Sequence, residues 1–183
     1  MSIFKLQQHS VEDHLELFER LNYIRDPLAT SPNLWCTAYV SPRYPYEEMM
    51  LVKRCHVAKG NNTLWGRHFF EFIVSLPEEE SRQLGGFVDC MREIVSFLAH
   101  WQGGHYQVLS CIHLNTDNLH AHIIQNNIDF ATGARFTPSQ VDFYAILDGI
   151  DGILKKHGFS GLLPGFRLKQ RTNHLYQGVR NES

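Results

Sequence analysis

The chemistry in this chain begins with three histidines, His113, His120 and His122. Side chains alternate along a β-strand, so HAHIIQNNID (120 to 129) projects His120 and His122 from one face with Ile124 and Asn126, while Ala121, Ile123 and Gln125 face the other way. The preceding apolar run, YQVLSCIHL (106 to 114), is separated from it by the short polar connection NTDNL, which predicts an antiparallel hairpin. His113 then reaches the same spot if the register places it opposite His120 or His122. Three neutral imidazoles converging on one point suit a divalent transition metal and leave coordination positions open for water or a substrate oxygen, the arrangement of catalysis rather than of structural zinc. A metal held this way polarises a phosphate oxygen and stabilises charge during an in-line displacement. The competing explanation is three polar residues on a half-buried strand.

The elements that must position these residues can be read from periodicity. Val11, His14, Leu15, Phe18 and Leu21 recur at helical spacing after Ser10, a plausible N-cap, and predict an amphipathic helix over 11 to 24 that ends before Pro27. LWCTAYV (34 to 40) predicts a strand, residues 46 to 58 a short helix, and KGNN (59 to 62) a turn. LWGRHFFEFIVSL (64 to 76) predicts a central strand with Glu71 and Ile73 on one face and Phe70 and Phe72 on the other. Residues 78 to 101 predict a long helix weakened in its middle by Gly85 and Gly86. Thr137, Pro138 and Gln140 supply an N-cap, a first-turn proline and a capping-box partner for a last helix running to about His157. The order predicts a single α+β domain over 1 to 183, a central, mainly antiparallel sheet with helices packed on one face. The chain is either complete in this form or a fragment of a longer protein.

The run HLNTDNLHAHIIQNN (113 to 127) resembles the third signature motif of the relaxase/mobilisation nuclease family, within the histidine-hydrophobe-histidine tyrosine endonucleases. The resemblance implies that His113, His120 and His122 bind a divalent cation, Mn2+ or Mg2+, with Zn2+ a further candidate, and that Asn126 stands at the family's trailing asparagine. Asn115 replaces an aspartate found in many members. LNYIRDPLATS (21 to 31) resembles the family's first motif, which makes Tyr23 the nucleophile; Arg25 follows it where a lysine is common. An unperturbed phenol has a pKa near ~10, so attack needs a base or a cation; Glu71 and Asp117 are candidate bases, and Tyr39, Tyr44 and Tyr46 are rival nucleophiles. The implied fold is relaxase-like. The implied activity is nicking of single-stranded DNA at a transfer origin through a covalent 5′-phosphotyrosine in conjugative mobilisation, with accessory relaxosome proteins as further partners. A replication initiator of the same superfamily, a degenerate domain that binds DNA without cutting it, and an unrelated three-histidine metallohydrolase are the alternatives.

Composition bounds these expectations. Lys plus Arg number 17 against 19 Asp plus Glu, a formal net charge of -2, so any footprint for phosphate must be local. Basic residues gather at Lys53, Arg54, Lys59 and Arg67 and again at Arg167, Lys169, Arg171 and Arg180. Arg25, Lys53, Arg54, Arg67, Asn126 and Arg135 are the candidate DNA contacts. Cys36, Cys55, Cys90 and Cys111 form no CxxC pair, and the polar N-terminus is no signal peptide, which together predict free thiols and a cytoplasmic location. No apolar run approaches the roughly 20 residues that span a bilayer.

Overall fold

The computed structural model describes residues 1–7 and 14–162. The Ser10 cap, Val11 and the basic group from Arg167 to Arg180 lie outside the described residues. In chain order the elements are β1 (Ile3–Gln7), α1 (His14–Ile24), β2 (Trp35–Ala38), α2 (Pro45–Ala58), β3 (Phe69–Ser75), α3 (Leu84–Ala99), β4 (Tyr106–His113), β5 (His120–Asp129) and α4 (Gln140–Lys156). The five strands form one sheet in the order β1-β3-β5-β4-β2, with every neighbouring pair antiparallel. The expected α+β class with an antiparallel sheet is therefore the observed one.

Burial explains which residues became strands. Every residue of β4 and β5 except His120 is buried, so these strands are covered on both faces. One face carries Val108, Ile112, Ala121 and Ile123, which pack with Phe87, Met91, Ile94 and Leu98 of α3 and Ile146, Leu147 and Ile150 of α4. The other carries Leu109, Cys111 and Ile124, which pack under Leu17, Leu21 and Ile24 of α1 and Met49 and Met50 of α2. Each fully buried side chain of this kind contributes about 1.5–3 kcal/mol. Helices thus lie on both faces, where one was expected; α1 and α2 are short, and their apolar stripes did not reveal which side of the sheet they would take.

Other boundaries moved for local reasons. β1 was not anticipated, because its five residues, IFKLQ, mix apolar and polar types at the chain's start; Phe4 nonetheless stacks on Phe72. β3 is interior, and β5 takes the middle of the sheet. Glu78–Glu80 forms a separate 3-10 turn, and Gly85 and Gly86 fall in the first turn of α3 rather than its middle, where they cost little. The last helix is capped by Ser139, not Thr137: its side chain accepts from the Asp142 backbone N–H, and the Asp142 carboxylate accepts in return from the Ser139 N–H at 2.9 Å.

A buried cation docks α2 on the sheet. Lys53 is fully buried, and its Nζ donates to the His68 carbonyl at 2.9 Å, Asn126 Oδ1 at 2.5 Å and Asn127 Oδ1 at 2.6 Å. Asn126 is equally buried and donates through Nδ2 to Gln107 Oε1 at 2.9 Å. Both residues were candidate DNA contacts; their burial withdraws them from any such surface and makes them structural. Burial pushes the Lys53 ammonium well below the ordinary lysine range, and the nearby Arg135 charge acts in the same direction. Between that lowered value and the ordinary 10.5 the folded protein binds fewer protons than the unfolded chain, so this residue makes stability rise with pH across that window. Lys53→Met strands three oxygens and is expected to lower unfolding free energy at neutral pH by about 2–4 kcal/mol in urea titrations. The same substitution should also remove the alkaline rise; an unchanged midpoint and pH slope would contradict this role.

Candidate active site

β4 and β5 bring the histidines together by register. His113 pairs directly with His120, and Cys111 pairs with His122, so the three imidazoles leave the same face of the hairpin. One ligand nitrogen from each lies within 4.8 Å of the others, the arrangement of a group able to hold a metal ion. His113 and His122 are buried and His120 is half-buried.

Each ring has one nitrogen occupied by an oxygen. His113 Nε2 donates to the Ile24 carbonyl at 2.9 Å, His120 Nδ1 to the Asn118 carbonyl at 3.1 Å, and His122 Nδ1 to Glu71 Oε1 at 2.9 Å. Carbonyls and carboxylates only accept, so these nitrogens carry protons, and His113 Nδ1, His120 Nε2 and His122 Nε2 are the nitrogens left for another partner. Burial, the largest cause in both cases, pushes His113 and His120 below the usual histidine range; the neighbouring imidazoles add to it, while the backbone carbonyls oppose it. Neutral rings with fixed tautomers are what a metal site requires.

Glu71 has a different position from the one expected of a base. It sits on β3, the strand beside β5 in the same sheet, wholly buried, with both oxygens engaged by Arg20 at 2.8 and 2.6 Å and Oε1 also accepting from His122. Its carboxylate accepts from the His122 ring and so orients that imidazole. Asp117 is exposed in the connection between β4 and β5, outside the three-histidine group.

Tyr23 lies on the last turn of α1 against the histidines. Its ring meets His122 edge-on at 5.4 Å and 88° and tilts on His113 at 5.9 Å, and it is 49% exposed. The rival tyrosines lie elsewhere. Tyr39 packs on His100 and Phe130 at the opposite end of the sheet, where Tyr106 pairs with Asp129. Tyr46 packs on Phe18, and Tyr44 lies under Arg43. Arg20, which sequence reasoning passed over, stands one helical turn before Tyr23 with its guanidinium 4.3 Å from the ring centre. That spacing was the available signal, but its partner Glu71 is 51 positions away.

The remaining candidate DNA contacts keep some exposure. Arg54 is exposed, and Arg25, Arg67 and Arg135 are half-buried. Arg25 caps the Leu21 carbonyl at 2.8 Å, Arg67 lies 4.8 Å over Phe70, and Arg135 donates to the carbonyls of Asn62, Trp65 and Arg67. The four cysteines are free thiols, and no helix among the described residues is long and apolar enough to cross a membrane.

A family model described as "Relaxase: MobA/VirD2-like, nuclease domain" matches residues 23–159, most of the 183-residue chain. One solved chain, from work described as "Molecular Basis of Vancomycin Resistance Transfer in Staphylococcus aureus", superposes with a TM-score of 0.54 at 13% identity. That similarity covers 88% of this chain and 97% of the other, and establishes a shared fold. No curated protein sequence matches.

Because Glu71 fixes the His122 tautomer, Glu71→Gln is expected to weaken Mn2+ binding about 10–100-fold by isothermal titration calorimetry, with a native far-ultraviolet spectrum. Wild-type affinity in a folded variant would show that the carboxylate has no part in preparing the ligand.

Proposed function

The chain belongs to the MobA/VirD2-like relaxase nuclease family, and from that premise we propose that it nicks single-stranded DNA at a transfer origin by tyrosine transesterification during conjugative mobilisation. The observation that supports this reading above all is Tyr23, half exposed, with its ring against both His113 and His122. The phenolic oxygen of Tyr23 attacks the scissile phosphorus. A new phosphotyrosine bond forms to the 5′ phosphate of the downstream strand, the O3′–P bond breaks, and the departing 3′ oxygen takes a proton from solvent to become a free 3′ hydroxyl. The phenolic proton passes to solvent, which reaches this ring.

A divalent cation held by His113, His120 and His122 would supply Lewis-acid stabilisation of charge on the scissile phosphate. Among the expected ions, three imidazole donors favour a transition metal such as Mn2+ or Zn2+ over Mg2+, whose preference is for oxygen. The protein's own contribution is placement: α1 delivers the phenol, the β4–β5 hairpin delivers the ligand nitrogens, and Glu71 holds one of those rings in its tautomer. Exposed cations, Arg54 first among them, are available for the DNA backbone, with Arg25, Arg67 and Arg135 more partially so.

Incubation of the protein with single-stranded origin DNA and Mn2+, Mg2+ or Zn2+, followed by denaturing electrophoresis, tests the proposal. Wild type and Tyr39→Phe are expected to form an adduct that survives denaturant, Tyr23→Phe none, and His122→Ala at least about 100-fold less. An adduct from Tyr23→Phe would move the nucleophile to another residue. Cleavage with no adduct from any variant would favour water attack by a three-histidine hydrolase.

A further inference from the structure

The nucleophile and the proposed metal ligands come from different layers: Tyr23 from a helix, the histidines from the sheet beneath it. Hydrogen-bonded links join the last turns of α1 to that sheet, and a pair of them flanks Tyr23. One is the bond from His113 Nε2 to the Ile24 carbonyl, at 2.9 Å. The other runs from Arg20 through Glu71 to His122, with contacts of 2.8, 2.6 and 2.9 Å. Tyr23 lies between the two anchor points, three residues after Arg20 and one before Ile24.

We propose that Arg20 is a positioning residue that holds the Tyr23 phenol in register with the histidine cluster, acting at the same time on the carboxylate that orients His122. The inference rests on the function proposed above and deepens it. Arginine is suited to this place because its fork engages both oxygens of Glu71 through Nε and Nη2, while its guanidinium carbon lies over the Tyr23 ring, 4.3 Å from the ring centre. A lysine supplies charge but neither the two-point fork nor the face. The fork is anchored on a side chain with no exposure, whereas the Arg20 side chain keeps 25%. Its rotamer is therefore set by the core, and the exposed tyrosine stacks on a fixed surface. Misplacing a reacting group by about 1 Å costs on the order of 100-fold in rate, so loosening this surface should act on turnover rather than on DNA affinity.

The test compares wild type with Arg20→Lys and Arg20→Gln in two assays. In single-stranded DNA cleavage at saturating Mn2+, both variants are expected to lose about 30–100-fold in kcat, with KM for DNA within about threefold of wild type. In metal-free protein, amide hydrogen exchange of the last turn of α1 should accelerate at least about tenfold, because that turn has lost one of its hydrogen-bonded anchors. Wild-type kcat in either folded variant overturns the inference. So does a change confined to KM, which would make Arg20 a phosphate contact, and so does unaltered exchange. If neither variant folds, Arg20 is structural and the inference also falls. Failure of the wild type to form an adduct, with exchange still accelerated in the variants, would sink the nucleophile reading while leaving the anchoring role intact.

Discussion

The pairing of His113 with His120 across the β4–β5 ladder is the constraint from which the rest of the site follows. A slip of one residue would turn His113 onto the face under α3 and leave two imidazoles instead of three. Such a slip is opposed on both sides of the sheet at once. It would also drive Leu109 and Cys111 out of the α1–α2 layer and Val108 and Ile112 out of the α3–α4 layer. Covering both faces therefore fixes the site as well as the cores, because the register that packs the two cores is the one that aligns the three imidazoles.

What could be read in the sequence were the patterns that a few neighbouring residues carry. Alternation placed His120 and His122 together, the short connection NTDNL announced the hairpin, and Phe70 and Phe72 were correctly set opposite Glu71 on β3. What escaped depended on distant partners. Arg20 acquires meaning only through Glu71, and Lys53 only through Asn126 and Asn127, more than seventy positions away. A lysine beside an arginine at 53 and 54 reads as a basic patch, yet helical geometry turns one inward and leaves the other outside. The capping of α4 by Ser139 rather than Thr137 is a smaller case, in which two equally good cap residues stood two positions apart and Asp142 decided between them.

Two buried cation networks on the α1–α2 side divide the work. Arg20 meets a carboxylate and so forms an ion pair that borders solvent and the site. Lys53 meets only neutral oxygens in a place with no exposure, where its charge is disfavoured and its three acceptors define how α2 sits. On the proposed function the first arrangement prepares chemistry and the second fixes architecture, although both are basic side chains reaching from a helix to the same sheet.

The site residues come from four elements spread from Arg20 to His122, and the strands that carry three of those elements are interior to a sheet whose order, β1-β3-β5-β4-β2, is far from their order in the chain. The three imidazoles meet across one short hairpin, but bringing Tyr23, Arg20 and Glu71 to them requires long loops to close, and topologies of this kind fold comparatively slowly. The β4–β5 hairpin alone carries the three histidines, without Tyr23 or Glu71. On the proposed reading, competence to break a strand therefore appears only once α1 has docked on the sheet.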